Sequence, residues 1–102
     1  GEQGTWTKHT NFEVSVRVPL LIRIPGVNEG QYSDVLVEQL DMFPTLVDLT
    51  GIGFDAKLTE QLEGKSLKSI IEHPDEPPNF PQYAYSQYWR DNGKIMGLSL
   101  RT

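Results

Sequence analysis

At 102 residues, with 37% hydrophobic residues, seven prolines and nine glycines, the chain suits one small, loop-rich domain with little core to spare. A formal net charge of −5, without any basic run or basic-aromatic stripe, excludes a general affinity for nucleic acid or an anionic membrane surface. Cysteine is absent, which rules out disulfide staples, thiolate nucleophiles and thiolate metal sites.

The opening residues are irregular and polar, and "GTWTKHTNFE" crowds an indole, a lysine, a histidine and a glutamate into ten positions (4–13). Val14, Val16 and Val18 then alternate with Ser15 and Arg17, and a continuous apolar run follows, closed by Pro25 and Gly26. Such a run suits a strand buried on both faces. Pro19 cannot donate to a ladder, so the strand proper is predicted over residues 20–24.

A turn-rich connection spans residues 26–34. Leu36, Leu40, Phe43, Leu46, Val47 and Leu49 then fall at helical spacing. Pro44 is tolerated only in a first turn, so an α-helix is predicted over 43–50, preceded by a tight turn at 40–42 and closed by Gly51. Strand, loop and helix in this order are an α/β signature. After a loop through 52–66, Leu67, Ile70 and Ile71 mark a short helical piece that Ser66 is placed to cap. The proline-rich, acidic stretch "EHPDEPPNFPQ" is the best boundary in the chain. "YAYSQYW" and "KIMGLSL" follow as two strand-like runs around "RDNG", predicting an antiparallel pair.

The catalytic inventory is thin. No serine sits in a Gly-x-Ser-x-Gly elbow, and His9 and His73 are not at metal-ligand spacing. His73 lies in the proline-rich joint and reads as an exposed side chain. Asp41 and Asp48, seven apart, read as a solvated helix face rather than an acid/base pair. The opening segment is the exception, because a lysine beside an indole and a histidine offers a compact charge to an oxyanion. The plain structural reading is that Trp6 packs under a loop while Lys8 and His9 face water.

The order of landmarks resembles the C-terminal part of a type I sulfatase, most closely the iduronate-2-sulfatase branch. The segment "GEQGTWTKHTNFEVSVRVPLLIRIPG" is similar to the one carrying that family's Gly-x-Trp-x-Lys element and Arg-Val-Pro-Leu strand. "VEQLDMFPTLVDLTGI" resembles its Asp-x-x-Pro-Thr-Leu helix, and "LEGKSL" its Gly-x-Ser-Leu element. "AYSQYWR" and "KIMGLSLRT" resemble two strands of the iduronate branch.

The resemblance implies an α/β, alkaline-phosphatase-like sulfatase fold with a C-terminal antiparallel β pair. Residues 1–73 would belong to the catalytic domain and 74–102 would begin a smaller C-terminal subdomain. It implies a sulfuric ester hydrolase acting on sulfated uronic acid units of glycosaminoglycans or related polysaccharides. Lys8 would contact the sulfate, and His9 and Arg90 are candidates for binding the sugar. No formylglycine motif (Cys/Ser-x-Pro/Ala-x-Arg) occurs here, and position 3 is Gln3 where the family often has histidine. The formylglycine nucleophile and the ligands of a calcium ion would therefore lie elsewhere in a longer, exported parent, with no metal ligand in these residues. The 102 residues alone would be inactive, would pair with the remainder of the sulfatase chain, and would self-associate through the uncovered 20–24 strand. Two other readings stay open: a non-catalytic module holding sulfated glycans, and a phosphoesterase of the alkaline phosphatase superfamily.

Overall fold

The computed structural model describes every residue except Thr5, Thr7, Lys8, Asn28, Glu29, Phe54 and residues 75–78, and leaves aside the side chains of Glu2, Arg90 and Ile95. Its elements are four short helices and one hairpin: α1 (Glu13–Val16), α2 (Met42–Thr50), α3 (Ala56–Thr59), α4 (Lys68–Glu72), β1 (Ala84–Arg90) and β2 (Ile95–Arg101). Single 3-10 turns occupy Glu2–Gly4, Gln39–Asp41 and Asp91–Gly93. The chain divides into two compact units, one of Gly1–Ile22 with Tyr83–Thr102, the other of Arg23–Gln82.

In the second unit α2 begins one residue before the predicted start and ends where expected. Pro44 is its third residue, within the first turn where no N–H has an intrahelical partner to lose. Gly51 ends the helix at φ 63°, a left-handed value that only glycine adopts without a Cβ clash. The 3-10 turn ahead of it matches the tight turn expected there, and is closed by a capping box between Glu38 and Asp41.

Asp41 departs from the solvated role expected of it. It is only 4% exposed. One carboxylate oxygen accepts the Glu38 N–H at 2.8 Å and the other accepts the Lys65 N–H, also at 2.8 Å. One turn on, the buried Thr45 hydroxyl donates to the Asp41 carbonyl at 2.5 Å and accepts the Leu67 N–H at 2.9 Å. These bonds fasten the 64–67 strip against the start of α2. The approach is so close that a Cβ on Gly64 would lie 2.1 Å from the Leu40 carbonyl oxygen, so no larger residue fits without moving the backbone. Asp48, by contrast, is exposed, accepting from the Ser66 hydroxyl at 2.7 Å and pairing with Lys68 at 3.6 Å.

Leu67, rather than Ser66, is the N-cap residue of α4, although the Ser66 hydroxyl accepts the Lys68 N–H at 3.2 Å. Leu67 and Ile70 are the buried hydrophobic side chains among the described residues. α3 falls in a stretch read from sequence as loop. It forms because the Asp55 carboxylate caps it, accepting the Lys57 N–H at 2.9 Å.

In the first unit β1 and β2 form the expected antiparallel pair, with Ala84 opposite Arg101 and Arg90 opposite Ile95. Asn92 and Gly93 take φ 54° and 86°, and the Lys94 N–H donates to the Asp91 carbonyl at 3.1 Å, the left-handed pair a tight hairpin turn needs. Alternation then sorts the faces. Ala84, Ser86 and Tyr88 are half-buried, while Tyr85, Trp89, Leu98 and Leu100 are exposed.

The expectation upstream fails. Residues 20–24 form no strand, and Leu21 is 88% exposed. A strand buried on both faces exists only through its neighbours, and the sheet of the described residues is made of β1 and β2 alone. The valine alternation before it does not signal extension either, since Val14 and Val16 lie in α1, whose turn is closed by Ser15 and Val16 N–H groups donating to the Phe12 carbonyl. β-branched residues favour a strand only where a sheet surface receives them.

Candidate functional site

Three contacts in the first unit bring the opening segment onto the C-terminal hairpin. Asn11 lies beside Gly97 and bridges the two strands: its amide Nδ2 donates to the Gly97 carbonyl at 2.8 Å and to the Ser86 carbonyl at 3.1 Å. A Cβ on Gly97 would sit 3.5 Å from Asn11 Oδ1, so a side chain longer than a methyl would displace the amide. On the same face Arg101 pairs with the Glu13 carboxylate, which also meets Arg17 at 3.7 Å. These ion pairs are half-exposed and contribute little by themselves. Beside Asn11, the buried Thr10 hydroxyl accepts the Phe12 N–H at 3.2 Å and shapes the entry to α1.

His9 completes the set. Its imidazole stacks on the Tyr88 ring with centroids 5.5 Å apart and planes inclined by 20°. This sets His9 against the "SQYW" strand. The two motifs are distant in sequence. An open hollow borders the stack, lined by His9, Tyr88, Trp89, Asp91, Asn92 and Gly93. The hollow is therefore bordered by the stacked rings of His9 and Tyr88 and by the polar residues of the hairpin turn.

Of the residues singled out in the sequence, Lys8 lies outside the described residues. Arg90 is placed by its backbone at the end of β1, two residues beyond Tyr88, and its side chain lies outside the description. His9 is exposed and stacked. Trp6 does not pack under a loop, being 89% exposed with its indole near Gly1. His73 is exposed at the end of α4, as expected. Sequence reasoning passed over Asn11, Tyr88, Asp91 and Asn92. The Asn-Gly turn signalled where the last two would sit, but nothing local indicated that the hairpin would meet residues 9–13.

Asp41, the most buried carboxylate of the described residues, has both oxygens committed to backbone amides and is a clamp rather than a reactive group. No group of three His, Asp or Glu side chains among the described residues is arranged to hold a metal ion. No helix among them is long and apolar enough to cross a membrane.

Comparison with known proteins places this arrangement. The family model described as N-sulphoglucosamine sulphohydrolase, C-terminal, matches residues 1–97. The chain is similar over its whole length to iduronate 2-sulfatase of Mus musculus, at 27% identity, and of Homo sapiens, at 30%. It spans 28% of the length of each. Both alignments extend over 157 positions, more than the chain's 102 residues, so these relatives carry inserted residues within the matched region. Choline-sulfatase of Rhizobium meliloti (strain 1021) is 46% identical over 71 residues, covering 70% of this chain and 14% of the relative. No solved structure gives a significant match. Because the family model runs from Gly1 into β2 and these relatives are sulfatases, the chain belongs to the N-sulphoglucosamine sulphohydrolase C-terminal family, the C-terminal region of type I sulfatases.

Proposed function

We propose that this chain serves, within a longer protein, as the C-terminal part of a sulfuric ester hydrolase acting on sulfated uronic acid units of glycosaminoglycans or related polysaccharides. The observation that carries the proposal is the stack of His9 on Tyr88. It sets His9, the residue that follows the Gly-x-Trp-x-Lys element, against the iduronate-type hairpin. In this reading the Lys8 ammonium contacts the sulfate and stabilises charge as the S–O bond breaks. His9 and Arg90 bind the sugar that carries it.

The described residues do not fit a calcium site, since the only deeply buried carboxylate is saturated by amides. Calcium and the formylglycine nucleophile would be supplied by the remainder of the sulfatase, and the 102 residues alone would be inactive. We assign residues 1–73 to an alkaline-phosphatase-like catalytic domain and 74–102 to the start of a smaller C-terminal subdomain. Similarity to iduronate 2-sulfatases along the whole chain supports the uronate substrate. The shorter match to a choline-sulfatase makes the substrate the point to test.

The test is sulfate release by the full-length enzyme from a panel of 2-sulfated uronate disaccharide, 6-sulfated N-acetylglucosamine and choline sulfate. Preferred turnover of the uronate disaccharide is expected. Preference for either of the others refutes the uronate assignment. Release of phosphate from phosphate monoesters, without sulfate release, would overturn the sulfatase reading.

A further inference from the structure

The hollow at the hairpin tip has a composition that the sulfate chemistry does not require. Tyr88 and His9 present stacked rings, and Trp89, Asp91, Asn92 and Gly93 complete its lining. Asp91, Asn92 and Gly93 take positive φ values of 48°, 54° and 86° in succession. Left-handed backbone disfavours ordinary L-residues, and Asp and Asn tolerate it better than most. The tip therefore carries two polar side chains side by side.

We propose that this hollow is a sugar-ring subsite in which Asp91 and Asn92 read the hydroxyls of the saccharide. The proposal rests on the sulfatase reading above and deepens it. A pyranose has two apolar C–H faces and a polar rim. Its faces match aromatic rings, which bury apolar surface while keeping one edge wet. The hydroxyls of the rim each donate and accept. A carboxylate only accepts and a primary amide does both, so Asp91 and Asn92 together match two neighbouring hydroxyls. In ligand sites a few placed polar groups fix orientation and specificity. A carboxylate at this rim also repels an anion, so the part of the substrate lodged here presents hydroxyls, and its acidic group lies away from the tip.

The experiment compares two sulfate esters on the full-length enzyme: a 2-sulfated uronate disaccharide and 4-nitrophenyl sulfate, which has no sugar hydroxyls. The variants are Asp91→Gly and Asn92→Gly, because glycine accepts the positive φ of each position and preserves the turn. Each variant is expected to lower the ratio of kcat/KM for the disaccharide to that for the aryl sulfate about tenfold, mainly through KM, as for loss of one hydrogen bond to a charged or well-placed group. Asp91→Asn, which keeps one acceptor, should recover part of the loss. An unchanged ratio, or a parallel fall on both esters, overturns the subsite while leaving the sulfatase reading intact. If the unmodified enzyme turns over neither sulfate, the sulfatase reading fails and takes the subsite with it.

Discussion

Asn11 shows how one amide can organise a surface that many residues share. It carries two N–H donors, and both are spent on carbonyls of opposite strands of the hairpin. Asn11→Ala should destabilise the first unit by about 1–3 kcal/mol, the usual cost of stranding partly buried acceptors. Asn11→Asp should be no better and is expected to be worse, because a carboxylate offers no donor and faces two carbonyl oxygens. Chemical denaturation of the three proteins checks the order, and an Asp variant as stable as the parent would refute it. Lys8 is proposed to act on chemistry rather than folding. In the full-length enzyme Lys8→Ala should lower kcat about 10²–10³-fold, the range for removing one preorganised charge donor. Lys8→Arg should rescue only partly, since a planar fork does not replace a compact ammonium. A normal kcat with raised KM would mean that the lysine holds the ground state and transition state equally.

Helix α2 and the strip that precedes α4 are joined by a small polar network. Asp41 and Thr45 each hold a backbone N–H of that strip, at Lys65 and Leu67 respectively. Thr45 is 2% exposed, so its hydroxyl has no water to fall back on. Thr45→Val keeps the shape and removes the acceptor of the Leu67 N–H, and should cost about 1–3 kcal/mol. Because Thr45 also donates to the Asp41 carbonyl, pairing it with Asp41→Asn should give a loss clearly different from the sum of the two single losses. Thermal melts of the two single variants and the double variant measure this. Strict additivity would mean that the two residues act separately.

At the scale of the molecule, the described residues leave apolar surface uncovered in several places, two of them in the first unit. Leu20, Leu21 and Ile22 are exposed along the irregular run, and Tyr85, Trp89, Leu98 and Leu100 are exposed on one face of the hairpin. Fully burying a Leu or Ile side chain is worth about 1.5–3 kcal/mol, so covering these positions would stabilise the molecule substantially. The 102-residue chain should therefore self-associate at micromolar concentration and bind a hydrophobic dye. Sedimentation velocity tests this, with Leu21→Lys and Leu98→Lys expected to shift the distribution towards monomer. A monomeric parent chain that binds no dye would show that these surfaces do not drive association. The same chain is expected to release no sulfate from any ester, because the proposed nucleophile is not among its residues.

Local chemistry was enough to write down α2 and the hairpin. Each is specified by neighbours in sequence: a 3.6-residue period, a proline confined to a first turn, a closing glycine, and alternation about Asn-Gly. The run at 20–24 was misread because identical residues make a strand beside a sheet and an irregular segment without one. Asp41 was misread because its partner amide at Lys65 lies 24 residues away, and no periodicity reports on a carboxylate's acceptors. The family motifs named His9 and Arg90, but that His9 would lie against Tyr88 is a tertiary fact. So is the tie from Asn11 to Gly97, 86 positions apart. Short-range propensity reports how a segment uses its own backbone groups. Which side chains meet across the chain depends on long-range closure, set by the shape left beside Gly97 and the donors that happen to fill it.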